Sequence, residues 1–212
     1  MSYELDTQQA RKADQRGAFI NDTGKYVGKI IRAEEIIANS GTKGIDFSFK
    51  TDGGQQARFA LYTEKGDGSR ISIGHAFVMA LMTCLKVRSI SPSQMRVKKW
   101  DTAAGAEVDA SAPCFADLMN KDIGVLLEAE EYAKNNGETG KRMVLAGVFQ
   151  AGTELTASEV LDKKTAPEQL PKMVSMLRDR PLKAARPPAR SSAPQPRSGG
   201  ASFDDMDDDI PF

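Results

Sequence analysis

The nine residues Asp204-Asp205-Met206-Asp207-Asp208-Asp209-Ile210-Pro211-Phe212 set five carboxylates ahead of an apolar tripeptide, which ends on an aromatic ring and the chain's own carboxylate. No core could hold so many like charges, because each would need a partner or lose its ionisation. The segment is therefore expected in solvent, with its apolar groups at the free end. A pocket with a basic rim can take the Phe212 ring and carboxylate together with Ile210 and Pro211, while Asp207, Asp208 and Asp209 steer the approach. This is the chemistry of a peptide handle held by other proteins, ordered only when bound.

A second set of residues could bind a polyanion. Sequence-tolerant binding of a single nucleic-acid strand needs cations that track the backbone and aromatic faces on which bases stack. Period-two alternation puts Trp100 beside Lys98 and Arg96, while Met95 and Val97 point the other way. Lys99 extends the same basic cluster. Tyr62 shares its strand face with Arg58, and Tyr26 lies among Lys25, Lys29 and Arg32, with Ile30 on its own face. The competing readings are a core or rim tryptophan and edge tyrosines with wet hydroxyls. Phe47, Phe49 and Phe59 alternate with polar residues as core positions do, and Tyr132 keeps company with Glu128 and Glu130, which would repel phosphate.

Catalytic chemistry finds little support. His75 is the only histidine, no Ser or Cys sits in a nucleophile elbow, and no phosphate loop of the form Gly-x-x-x-x-Gly-Lys-Ser/Thr is present. Cys84 and Cys114 have no metal-ligand spacing, so they read as small buried hydrophobes in a reducing compartment. The expectation is a protein with no catalytic residues, no metal and no cofactor. Net charge is zero, yet the 29 basic residues face only 24 acids once the five tail aspartates are set aside. Residues 1–203 thus carry an excess of five positive charges and the tail five negative ones. Residues 1–17 are polar, and the apolar run Phe77–Leu85 is too short to span a bilayer, so neither a leader nor a membrane partner is expected.

These residues must be held by a scaffold. Strand patterns over Lys25–Ile37, Ile45–Lys50 and Gln56–Thr63 are separated by Asn39-Ser40-Gly41 and Asp52-Gly53-Gly54, with a further apolar piece at Ile71–Ile73. The period changes over Gly74–Lys86, where Phe77, Val78, Leu81, Met82 and Leu85 mark an amphipathic helix. Strand signals return at Met95–Trp100, a short helix is expected within Pro113–Lys121, and Ile123–Ala133 with Lys141–Gln150 reads as a hairpin across Asn135-Asn136-Gly137. The fold expected is mainly β with one or two helices, an OB-like antiparallel five-stranded barrel whose helix lies between the third and fourth strands. Glu168–Arg180 reads as a terminal helix. The domain plan is a flexible arm over 1–17, the barrel over 18–180, a disordered Pro/Ala/Ser/Arg linker over 181–203 and the acidic tip over 204–212.

The run Met206 to Phe212 closely resembles the C-terminal tip of bacterial single-stranded DNA-binding proteins, preceded as there by a Pro/Gly/Ser-rich linker. The first 180 residues do not carry the motifs of the usual bacterial OB domain, so the chain looks like a phage- or prophage-type member with a host-like tail. The resemblance implies a non-enzymatic protein that coats single-stranded DNA with little sequence preference during replication, recombination and repair, and docks processing enzymes on its tip. It implies the cytoplasm of a bacterium or of a phage-infected host, and it allows a homo-oligomer. Alternatives are a recombination protein that anneals complementary strands, and an adaptor that uses the tail to recruit host repair enzymes without coating DNA.

Overall fold

Strand β1, Gly24–Ile37, joins the two halves of the structure. A computed structural model describes residues 19–101, 105–134 and 136–182. The predicted arm, most of the linker and the acidic tip, including Asp207, Asp208, Asp209, Ile210, Pro211 and Phe212, lie outside the described residues. The first half of β1 pairs with β6, Asp122–Ala133, and the second half with β2, Lys43–Thr51. Gly28 and Lys29 pair with both neighbours. A Cβ on Gly28 would sit 2.2 Å from the Lys50 carbonyl oxygen, so only glycine lets the two backbones approach there.

Side-chain alternation along β1 is broken once, and the break matters. Tyr26, Gly28 and Ile30 face inward; a strict period of two would send Arg32 and Glu34 into the core after them. The register against β2 slips between Ile30 and Arg32, so Ile31 is an extra residue and Ala33 becomes the next buried position. A β-bulge thus turns Arg32 from the core side to the outer face.

Beyond β2 lies β3, Gln56–Glu64, then helix α1, Ser72–Cys84. A hairpin of β4, Ser93–Asp101, and β5, Ala106–Cys114, follows, with a 3-10 turn at Ala116–Leu118. Then come β6 and β7, Thr139–Phe149, and the short helices α2, Ala157–Leu161, and α3, Gln169–Met176. All ladders between the strands are antiparallel. The order β1, β2, β3, helix, β6, β7 is OB-like. Among the described residues there are seven strands rather than five, because the β4–β5 hairpin is added after α1, joined to β1 through the single ladder pair Glu34 and Cys114. No ladder links β3 to β7 among the described residues, so the barrel is not closed.

The core is built from the inward rows of these strands and one face of α1. Phe47, Phe49, Ile30, Leu81, Ile123 and Leu127 are fully buried. Phe47 and Phe59 oppose each other across β2 and β3 with ring centroids 5.3 Å apart, a pairing that adds about 0.5–1.5 kcal/mol beyond area burial. Cys84 and Cys114 are free and buried, and burial pushes the Cys84 thiol up to about 12. Leu126, Phe149 and Leu170 form a smaller cluster that seats α3 against β6 and β7.

Two expectations change at the ends of elements. The piece Ile71–Ile73 is not a strand: only Arg70 bridges back to Glu64, and the helix starts at Ser72. Helix α3 stops at Met176 rather than Arg180. Pro181 disfavours helical geometry at Arg180, and the chain instead runs extended along β6. Arg180 N–H donates to the Ala129 carbonyl at 2.8 Å, and its Nε donates to buried Glu128 at 2.6 Å. No helix among the described residues is long and apolar enough to cross a membrane.

Candidate nucleic-acid interface

The bulge in β1 sets up a row of residues across three strands. Arg32 on β1 is in register with Ser48 on β2, and Ser48 with Arg58 on β3. One step along, Lys50 opposes Gln56. This outer face is the floor of a groove of about 620 Å³, with Arg96 and Lys98 of the β4–β5 hairpin on one side and Phe19 on another. The five cations Arg32, Lys50, Arg58, Arg96 and Lys98 converge on it. Phe19, 64% exposed, is its aromatic residue among the described side chains. Phe19 is positioned by a parallel bridge to Gln56 and by Ile20 N–H, which donates to the Gln56 carbonyl at 2.8 Å.

Beneath the row lies a buried carboxylate. Asp46, on the inner part of β2's outer-facing row, accepts from Arg32 Nη2 at 2.8 Å and from Arg58 Nε at 2.9 Å. An unpaired carboxylate at that depth would be strongly disfavoured; two guanidiniums supply the compensation. The hydrogen bond to Asp46 raises the pKa of Arg58 against the opposing effect of burial. Glu34, also buried, lies 3.8 Å from Arg32 Nε and pairs with Lys99. A chain of alternating charge therefore runs from β4 through β1 and β2 to β3. Arg32 Nη1 donates to the Lys98 carbonyl at 3.3 Å, which ties the hairpin to the floor.

The sequence-predicted residues divide into two groups. Arg58, Arg96 and Lys98 come together in the groove. Lys99, of opposite parity to Lys98, turns to Glu34. Trp100 occupies the β4 register position opposite Glu107, two residues beyond Lys98; its side chain lies outside what the structure describes. Tyr26 points inward beside Ile30, its hydroxyl donating to the Asp22 carbonyl at 2.7 Å, and burial followed by the Asp22 charge raises its pKa. Lys29 is exposed on β1, 3.6 Å from Asp122. Tyr62 lines a separate cleft of about 600 Å³ between β3 and β7, with Ile73, Phe77, Met176 and Leu177.

Sequence reasoning missed Phe19, Lys50 and Arg32 as groove residues. Lys50 was legible: it has the same strand parity as Asp46 and Ser48, opposite to Phe47 and Phe49. Arg32 was not, because a bulge between two isoleucines leaves no mark in the alternation. Phe19 adjoins the segment read as an arm, where an isolated aromatic has no period to place it. Among the described residues no group of three or more His, Cys, Asp or Glu side chains is placed to hold a metal. No family model matches this chain, and no curated protein matches it.

Proposed function

We propose that the protein binds single-stranded DNA in the groove between the β1–β2–β3 face and the β4–β5 hairpin, and recruits replication, recombination and repair enzymes through Asp207 to Phe212. What supports the DNA reading is the convergence of five cations and an exposed phenylalanine on one face of an OB-like sheet. Lys50, Arg96 and Lys98 make no ion pair among the described residues and are available to phosphate. Stacking on Phe19 requires a base whose face is open, which selects a single strand over a duplex.

Titration of a fluorescent oligothymidylate with the full chain tests this reading. Affinity is expected to fall linearly on a double-logarithmic plot against salt as counterions are released. Absence of binding at low salt, or a flat salt response, would overturn it. A duplex of the same length is expected to compete poorly, and an oligouridylate competitor measures how far the groove distinguishes DNA from RNA.

A further inference from the structure

A buried acid lies behind a groove whose charged lining residues are all cations. Asp46 is only 4% exposed and sits between Arg32 and Arg58. By charge alone, removing it should improve the groove for an anion. The donor inventory argues the reverse.

A guanidinium has five N–H donors in a fixed fork. Arg32 donates from Nη2 to Asp46 and from Nη1 to the Lys98 carbonyl, while its buried Nε, 3.8 Å from Glu34, makes no hydrogen bond, and the side chain is only 13% exposed. It is a tie between β2 and the hairpin, and its burial rather than its donor count keeps it from a ligand. Arg58 commits Nε alone, 2.9 Å from both oxygens of Asp46, and its side chain is 70% exposed. Its two outer nitrogens make no hydrogen bond among the described residues. They are the pair with the spacing to grip two oxygens of one phosphate.

We propose that Asp46 is the positioning residue of this groove: it holds Arg58 by Nε so that the outer pair is presented, already aimed, to a phosphodiester. The inference rests on the DNA-binding reading above. An arginine loses much rotamer freedom when it binds, and a side chain restrained beforehand loses less. Ser48, neutral, occupies the row between the two arginines, so the acid that orients them is set one step aside and below, out of contact with an incoming anion.

The test uses the full chain, with oligothymidylate affinity measured at fixed low salt for D46N, R58A, R58K and D46N/R58A. D46N makes the protein more positive by one charge, yet it is expected to bind about five- to tenfold more weakly. In the R58A background the same substitution is expected to change nothing further, because its effect passes through Arg58. R58K keeps the charge and loses the fork, and is expected to lose most of what R58A loses. Tighter or unchanged binding by D46N, or an equal loss in both backgrounds, would overturn the proposal. Should D46N fail to fold, R58K decides alone: affinity equal to wild type would sink it. Wild-type protein that does not bind is a different result, and overturns the DNA reading itself.

Discussion

Glu159 and Glu168 are nine residues apart, yet the backbone N–H of Glu168 donates to Oε1 of Glu159 at 2.6 Å. Gln169 N–H donates to the same oxygen at 2.8 Å, while Oε2 accepts the backbone N–H and the hydroxyl of Thr156, each at 2.9 Å. One buried carboxylate thus caps α2 by a capping box and also serves the start of α3. Burial alone would raise its pKa; the hydrogen bonds outweigh it and hold the group at about 2.

The sign of the pH effect follows from that depression. Glu159 contributes stability in full above its ordinary value of 4.5 and loses it as pH falls toward about 2. Hydrogen exchange across 157–176 should therefore accelerate over that interval before the β1–β2 ladder opens. A Glu159→Ala variant should show the loosened segment already at neutral pH. Uniform loss of protection across the whole molecule would contradict this.

Removing a phosphate-tracking cation should weaken binding and flatten its salt dependence together. For Lys50→Ala, Arg96→Ala and Lys98→Ala, each slope on the double-logarithmic plot is expected to fall by about 0.7. Lys29→Ala, at a residue in register with Lys50 but ion-paired with Asp122 and outside the groove lining, should lower the slope by less than Lys50→Ala does. Titrations at four or five salt concentrations give the comparison.

Phe19→Ala should cost about 1–3 kcal/mol of oligonucleotide affinity if a base stacks on the ring, with little change in salt slope. Phe19→Trp is expected to retain binding. Tyr62→Ala, in the β3–β7 cleft, should bind as wild type does. Quenching of the single tryptophan on titration would report Trp100 directly, since no other indole is present.

Deleting residues 204–212 removes five negative charges from a chain whose residues 1–203 carry an excess of five positive ones, four of them at Lys183, Arg186, Arg190 and Arg197. Affinity for oligothymidylate is expected to rise at low salt and to match the full chain at high salt, where screening suppresses the competition. Capture of replication or repair enzymes by the immobilised protein should be lost with the same deletion. An unchanged low-salt affinity would remove the tail as a competitor.

Strands with clean alternation were legible in the sequence: Ile45, Phe47 and Phe49 fixed the inward face of β2, and Gly54 and Gly137 mark the turns of two hairpins with positive φ. Strand β5 was not. Its inward residues include Ala112 and Cys114, too small to make a hydrophobic period, and Pro113 argues against a strand unless the position is tolerant. Helix α2 is only five residues long, and what holds it is the Glu159 carboxylate rather than a periodic face. In the groove, Arg58, Arg96 and Lys98 could be found by parity. Their convergence depends on the bulge at Ile31 and on a hairpin folded back over β1, neither of which leaves a local signal.

The line between β3 and β7 is held by side chains from α1 and α3 and not by a ladder. Width along that line can change without unpairing a strand. The floor made by β1, β2 and β3 is joined by ladders interrupted only at Ile31 and at Lys43, so the sheet has a compliant side and a stiffer one, and the arginine row stands on the stiffer one.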